Sequence, residues 1–394
     1  MVGAKVKITV VGGSISGLHA AKFLLSSGVD CEVSLIERKK AIGENIVCAG
    51  GIASYMIRKL RLDVPRQFVA SKVRKVRFYS PSLDYADLEL HREFGLVLWR
   101  DRWEKWLGQQ VEELGAKVHL GVKDSTEMLK DADVIIGADG LTGISRRLAG
   151  KPFPSSDDVH IAIQAVGKAK NVDEEAISMY FGSQIPKGYG WCFPLQGSGF
   201  RIGLGVPLTY SSNLNSIFKA FTTDIEAELS EKPKVKLIPT APPEKTLLGN
   251  VISRNARHEI FTRVKMEKPL LAKEKSIALV GDAGLQTDAT TGGGIAPAIL
   301  GAKCLAEALD RGDLKLYDKL WKAELYGRNR QRYKLKQILC EMSDGEFEML
   351  IDVLKDFKPI SESLGVALTH LLIELAFRHP KFFTRHKILR RLIR

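Results

Sequence analysis

The residues best suited to do chemistry fall into two groups of glycines and acids roughly 260 residues apart. In the first, Val10-Val-Gly-Gly-Ser-Ile-Ser-Gly17, three glycines follow the apolar run Lys5 to Val11. Gly12, Gly13 and Gly17 suit a turn that bends tightly, lets phosphate oxygens approach backbone N–H groups, and lets the next helix pack close to the strand. Ser14 takes the middle position of the usual G-x-G-x-x-G pattern; it is small, and it can donate a hydrogen bond of its own. Ser16 belongs to the same turn. Glu37 stands 20 residues beyond Gly17, where a carboxylate can accept both hydroxyls of a ribose and would repel a 2′-phosphate. The second group runs from Leu279-Val-Gly-Asp282 to Thr290-Thr-Gly-Gly-Gly-Ile295. Asp282 can hold a polyol hydroxyl, and the helix start at Gly292, Gly293, Gly294 and Ile295 presents N–H groups that favour negative charge. Two such turns, so distant in sequence, imply one dinucleotide gripped from both ends.

The hydrophobic pattern places elements behind these residues. Residues 4 to 37 read as strand, glycine turn, helix (Leu18 to Leu25) and strand (Cys31 to Ile36), a βαβ unit with its turn in the required place. Rough alternation between residues 72 and 98 predicts antiparallel strands, and a helix from Asp101 to about Leu114 follows, with Asp101 as its N-cap. Short strands are expected at Lys117 to Gly121 and Asp133 to Gly137, then at Ile161 to Val166, Ile177 to Phe181 and Phe200 to Val206. Gly197-Ser-Gly199 lies between strand-like segments and reads as a hairpin turn, not a third nucleotide loop. Leu214 to Leu229 reads as helix, Pro233 to Pro243 as an extended connection, and Ser276 to Val280 as a strand that resumes the nucleotide domain. A helix from Gly294 to about Leu309 precedes charged helical segments from Asp313 onward.

A chain of 394 residues can form two or three domains with ample core. Its five cysteines, Cys31, Cys48, Cys192, Cys304 and Cys340, form no CxxC pair, which points to a reducing compartment and to no metal site. The N-terminus runs straight into the first strand and leaves no room for a signal peptide, and no uninterrupted run of ~18 apolar residues appears. A soluble or peripheral protein is expected. The net charge of +13 is concentrated in part at Phe377 to Arg394, where seven Lys and Arg mix with Phe, Ile and Leu and no acid occurs. Such a tail can lie on an anionic membrane surface; the alternative is a solvated or packed basic helix end. No aromatic-basic RNA signature or zinc-finger spacing accompanies the charge, so no nucleic-acid partner is expected.

Ala138-Asp-Gly-Leu-Thr-Gly-Ile-Ser-Arg-Arg147 adds a third segment directly after a strand. With it, the sequence resembles the flavoproteins that include the aromatic hydroxylases and the geranylgeranyl reductases. The shared segments cover the FAD domain, roughly half of the chain. The resemblance implies an α/β protein: a glutathione-reductase-type FAD-binding Rossmann domain, an inserted antiparallel-sheet substrate domain of hydroxylase-like architecture, and a helical C-terminal region. The expected division is 1–71, 96–154 and 268–310 for FAD, 72–95 and 155–267 for the substrate, and 311–394 for the C-terminal helices and basic tail. Arg100, in Trp99-Arg-Asp-Arg-Trp-Glu-Lys-Trp-Leu107, matches the family arginine that contacts the cofactor's phosphate or ribose, with Arg102 as the competing choice. Arg38 beside Glu37, and Val122 after the next strand, are carried over as further cofactor contacts.

Three segments favour the geranylgeranyl reductases. Thr290 to Ile295 looks like their form of the flavin-binding helix start, although Asp288-Ala289 stands where both branches usually have a proline. Tyr189-x-Trp191-x-Phe193-Pro194 is similar to their motif lining a prenyl-chain cavity; alternation would put the three rings on one strand face, as a substrate wall or as an ordinary core stripe. Gly43 to Gly51 resembles the loop that carries a cysteine beside the flavin, which makes Cys48, Ala49 and Gly51 cofactor contacts. Cys48 is the catalytic candidate, as proton donor or redox partner, with a bound water as the other proton source and an inert thiol as the alternative.

The resemblance implies an FAD-dependent oxidoreductase acting on CH–CH bonds, which saturates geranylgeranyl chains on an archaeal-type glycerophospholipid precursor. Its electron donor would be ferredoxin or NAD(P)H, and its place cytoplasmic, peripheral at the inner face of the cell membrane. The alternatives are an aromatic hydroxylase or other monooxygenase, a menaquinone side-chain reductase, and a lipid-binding protein that merely retains flavin.

Overall fold

Val6–Val11 carries buried side chains over its last four residues, the pattern of a parallel strand covered on both faces. It pairs in parallel with Cys31–Glu37 on one flank and with Val134–Gly137 on the other. In the computed structural model, which describes residues 5–89, 93–123, 125–251, 275–358 and 364–386, these strands lie at the centre of a six-stranded sheet. Lys117–Leu120 closes one side of it, and Lys275–Leu279 followed by Leu248–Val251 the other. The outermost strand Leu248–Val251 is antiparallel, and it lies within the 155–267 segment expected in the substrate region. Helices Ile15–Leu25 and Ile295–Asp310 pack together on the sheet; Ala20, Ala21, Ala298 and Ala302 are small enough to bring them close, and Leu18, Leu24, Ile299 and Leu305 fill the core between.

The second sheet is mainly antiparallel, as expected. Its order is Ala227–Leu229, Val159–Ala169, Phe200–Pro207, Tyr189–Pro194, Ala176–Tyr180, Lys75–Tyr79 and Tyr85–Glu89, with Lys234–Pro239 also paired to Val159–Ala169. Ala176–Tyr180 and Lys75–Tyr79 pair in parallel and so tie the early and late parts of the chain together. Helix Leu214–Asp224 covers one face with Phe218 and Phe221 against Cys192, Ile202 and Leu204. Helices Asp344–Lys355 and Leu364–Arg378 bury Leu350, Leu354, Leu371 and Leu375 beside Val76, Phe78 and Leu88. A small sheet of Gly51–Ala53, Gly95–Leu98 and Val69–Val73 joins the two halves.

Most predicted elements lie within a few residues of their expected bounds, and three local readings are corrected. Helix Arg100–Glu113 starts directly after Trp99, which holds the N-cap position at φ −74° and ψ 78° without a side-chain cap; Asp101 sits in the first turn, where its charge complements the helix dipole. The helix from Leu214 stops at Asp224 because Glu226 adopts φ +47°, and Ala227–Leu229 then joins the sheet edge. Lys234–Pro239 is a paired strand and not a bare connection, since Val235, Leu237 and Ile238 follow Pro233 closely and the backbone finds a partner in Val159–Ala169. In the basic tail, Pro380–Arg385 forms a helical turn whose Phe382 is buried against the C-terminal helices, while residues 387–394 lie outside the described residues.

Candidate active site

Three strand ends converge on one point. Gly12, at φ +109°, lies so close to the Ala138 carbonyl that a side chain there would collide with it. Gly17 packs against the Gly12 carbonyl in the same way, which brings helix Ile15–Leu25 down onto its strand. Ser16 abuts Gly281, so the two glycine turns read from the sequence touch each other. Glu37 is buried and accepts the Gly13 N–H at 2.7 Å and the Lys39 N–H at 2.9 Å, while its own carbonyl accepts the Val122 N–H at 3.1 Å. Arg38 is exposed beside it. Asp139 accepts the Ser145 N–H at 3.0 Å, and burial pushes its carboxyl above the usual range.

Arg100 stands at the mouth of the first turn. Its guanidinium donates to Ser14 Oγ at 3.2 Å and pairs with Glu104, which also accepts the Ser14 hydroxyl at 2.9 Å. Arg102 instead lies over the Trp99 ring, 4.9 Å from its centroid, so the structure brings Arg100 and not Arg102 to the turn. Cys48 lies beside Arg100, in a loop held by Gly50 N–H donating to Cys48 Sγ at 3.4 Å and by Arg201 donating to Ala49 O at 2.8 Å. Burial would raise the Cys48 thiol, but Arg100 and Lys236, with the Arg100 and Gly50 hydrogen bonds, outweigh it and hold the thiol below its ordinary range. Asp282 accepts the Thr287 hydroxyl at 2.8 Å and forms an ion pair with Lys236 at 2.9 Å. Against the opposing cost of burial, these partners hold Asp282 below the normal carboxylate range.

The second turn continues into the helix start through Asp288. Its carboxylate accepts the N–H groups of Thr290 at 2.9 Å and Thr291 at 3.2 Å, so an Asx-type turn shapes the segment where a proline was expected. Gly292 follows at φ +64°, and Gly294 precedes helix Ile295–Asp310 without a side-chain cap.

Strand Tyr189–Pro194 brings the aromatic residues to the same place. Tyr189 and Trp191 have ring centroids 5.7 Å apart, the Tyr189 hydroxyl donates to Thr291 O, and Phe193 packs on Gly51. Trp191 lies over Gly203 and donates from Nε1 to Gln164 Oε1 at 3.3 Å; Gln164 Nε2 in turn donates to Cys48 O at 3.4 Å. Cys192 points to the opposite face, among the residues under helix Leu214–Asp224, and Pro194 is buried at the strand's end. Tyr189 and Trp191 share a cavity of about 50 Å³ with His160, Ile238, Gly292 and Lys336. That space is far below the ~300–1,000 Å³ of ordinary ligand sites, so a long chain would have to part its walls.

The sequence pattern did not identify Lys236, Gln164, Arg201 or Glu104. The available signal was a lone polar residue within an otherwise apolar strand, as in Ile161-Ala-Ile-Gln-Ala-Val166 and Phe200-Arg-Ile-Gly-Leu-Gly-Val206. The donor set fits a dinucleotide. Two glycine turns meet, a buried carboxylate stands at the end of the second strand, and Arg100 Nε is buried with no hydrogen-bond partner among the described residues. No group of three or more metal-ligating side chains occurs among those residues.

Comparisons with known proteins agree with this geometry. The geranylgeranyl reductase catalytic domain matches residues 158–241, which hold the aromatic strand, Gln164 and Lys236. The digeranylgeranylglycerophospholipid reductase of Thermoplasma acidophilum is 27% identical over 89% of this chain and 91% of its own length. That of Methanosarcina acetivorans is 26% identical over 89% of each. Among solved structures, a geranylgeranyl bacteriochlorophyll reductase-like protein from Thermoplasma acidophilum superposes with TM-score 0.79 at 22% identity, covering 98% of this chain and all of its own. HpxO of Klebsiella pneumoniae, solved with FAD and uric acid, shares the fold at TM-score 0.59 and 16% identity, over 94% of this chain and 96% of its own. Over residues 158–241 the chain matches the geranylgeranyl reductase catalytic domain, and over its length it is similar to the digeranylgeranylglycerophospholipid reductases.

Proposed function

We propose that this protein is an FAD-dependent reductase that saturates the isoprenoid double bonds of geranylgeranyl lipids, with a digeranylgeranyl glycerophospholipid precursor as its substrate. The observation that carries the reading is the aromatic row. Tyr189, Trp191 and Phe193 line one face of a strand that also meets the Cys48 loop and the Gly292 helix start. The names of the curated relatives support the lipid class.

In this reading Glu37 holds the adenosine ribose, with Arg38 and Val122 at its edge. The Gly12 to Gly17 turn, with Ser14 and Ser16, receives the pyrophosphate beside Arg100. Asp282 and the 292–295 helix start take the ribityl chain and the ring, which the loop of Cys48, Ala49 and Gly51 flanks. Bound and reduced, FAD supplies a hydride equivalent. An isolated trisubstituted alkene accepts hydride poorly, so a proton must reach its other carbon together with the hydride or before it. Cys48 supplies that proton, because its thiol lies beside two cations and below its ordinary pKa range. Trp191 and Phe193 hold the chain and exclude water, and burial keeps the Tyr189 phenol neutral so that it stays donated to Thr291 O.

Anaerobic incubation of the dithionite-reduced protein with digeranylgeranylglyceryl phosphate should yield products heavier by two hydrogens per reduced bond. Unchanged lipid, with flavin bound and reducible, would sink the reading. Oxygen uptake stimulated by an aromatic substrate would favour a monooxygenase instead. The electron donor is a ferredoxin or NAD(P)H. No helix among the described residues is long and apolar enough to cross a membrane, and the basic tail supports a peripheral position at a cytoplasmic membrane face.

A further inference from the structure

The face of the substrate sheet that carries the aromatic row also carries a lysine. Strand pairing places Lys236 opposite Ala162, Ala162 opposite Gly205, and Gly205 opposite Tyr189. Residues directly opposite in antiparallel strands share a face, so Lys236 and Tyr189 look the same way with two small residues between them. The next row, Gln164, Gly203 and Trp191, lies on that face as well, and Gln164 Nε2 donates to Cys48 O at 3.4 Å, so the Cys48 loop meets the sheet one row along from Lys236. Lys236 therefore faces the nucleotide domain. There its Nζ reaches Asp282 Oδ2 at 2.9 Å, joining an edge strand of one sheet to the second glycine turn of the other. Its side chain is 41% exposed and that of Asp282 20%, so the pair borders open space instead of filling a core. An ion pair this exposed contributes little to stability by itself, which leaves its position at the cleft to be explained.

We propose that Lys236 is a positioning residue for Cys48: it keeps a positive charge on the face of the substrate sheet that meets the Cys48 loop, where a thiolate forms as the proton leaves for the substrate alkene. The inference rests on Cys48 being the proton donor of the proposed reaction. When that proton moves, the Cys48 S–H bond breaks as a C–H bond forms on one alkene carbon. The other carbon receives the hydride equivalent that reduced FAD supplies. The thiolate left behind is stabilised by Lys236 and Arg100 until water reprotonates it. The electrostatics agree. Asp282 is the foremost influence that raises Lys236 above its ordinary range, so the ammonium stays charged, and Lys236 stands second to Arg100 among the cations that lower the Cys48 thiol against its burial. Arg201 and Tyr189 also feel the Cys48 charge, and Asp282 partly offsets the lysine. Lys236 and Arg201 both arrive from the substrate sheet, and of the two only Lys236 is among the cations that lower the thiol.

The test is the pH profile of Cys48 alkylation by iodoacetamide, followed by mass spectrometry of the Cys48 peptide. It is measured in FAD-loaded protein and again after FAD is stripped. In Lys236→Met the profile moves to higher pH and the labelling rate at pH 7 falls about threefold or more, whereas Lys236→Arg restores it. Asp282→Asn relieves the lysine of its counter-charge and moves the profile of the stripped protein the opposite way. A Cys48 profile that is unchanged in Lys236→Met and Asp282→Asn overturns the proposal; if Lys236→Met does not fold, the Asp282→Asn result decides. Lipid reduction is assayed separately. A shifted profile without lipid reduction would refute the proposed substrate and leave Lys236 in place, while lipid reduction with an unshifted profile would refute the role of Lys236 alone.

Discussion

Single side chains at the nucleotide turns are constrained by contact more than by chemistry. A methyl group at Gly17 would collide with the Gly12 carbonyl, a backbone atom that cannot swing aside. Gly17→Ala is therefore expected to cost about 1–3 kcal/mol in overpacking and to abolish copurification of flavin. Thermal melting and the visible absorbance of the purified variant check both, and a yellow protein of parental stability would contradict the turn geometry. Glu37 is held by two N–H donors before any ligand arrives, so its carboxylate is already aimed. Glu37→Gln should weaken FAD by about 1.5–3 kcal/mol, the usual value of hydrogen bonds to a charged group; fluorescence titration of the stripped protein would read the change.

Elements matter where they bring together groups that no local pattern connects. Strand Tyr189–Pro194 is an example, because its aromatic face is determined by alternation but what it faces is decided by the neighbouring strand, with glycine at positions 203 and 205. Trp191 fills the space above Gly203, so Trp191→Ala is expected to destabilise the chain by about 3–5 kcal/mol and to raise KM for the lipid more than it weakens FAD. Denaturant melts and initial-rate kinetics separate these effects, and a parental KM would show that the ring is plain core. The turn before helix Ile295–Asp310 makes a related point. Asp288 shapes it with side-chain hydrogen bonds in place of a proline, and helix Gly327–Glu341 clamps it from outside, with Thr290 Oγ1 donating to Arg332 O at 2.8 Å and Asn329 Nδ2 donating to Gln286 O at 3.0 Å. The C-terminal helices thus support the site as well as covering the sheet.

At the scale of the molecule, two buried histidines contribute to the response to acid. Burial lowers His19 to about 4, and burial with the nearby Lys336 lowers His160 to about 4, from 6.5 in each case. The unfolded chain takes up protons at these sites below pH 6.5, and the folded chain only near pH 4. Stability should therefore fall as pH drops through that window and stay level above it, by on the order of 3 kcal/mol per histidine at most. Urea melts across the range check this, and His160→Gln should flatten the slope. The basic tail adds a prediction about location. Phe382 is buried, yet Phe377 is 77% exposed beside Arg378 and Lys381, an arrangement suited to an anionic surface. Removing residues 377–394 should reduce flotation with anionic liposomes; equal flotation would take the tail out of the account.

Sequence by itself determined the nucleotide half. Tight strand-to-helix turns demand glycine at set spacings, and a buried parallel strand demands an apolar run, so Gly12, Gly17, Glu37 and Asp282 were legible without coordinates. The alternation of Tyr189, Trp191 and Phe193 was equally plain. What only the tertiary structure decided was company. The pairing of Lys236 with Asp282, the choice of Arg100 over Arg102, the contact of Gln164 with the Cys48 loop and the strand at 234–239 all depend on segments far apart in the chain. Local pattern records which way a side chain points along its own element, whereas its charge partner and its neighbours across a sheet exist only once the chain has closed on itself.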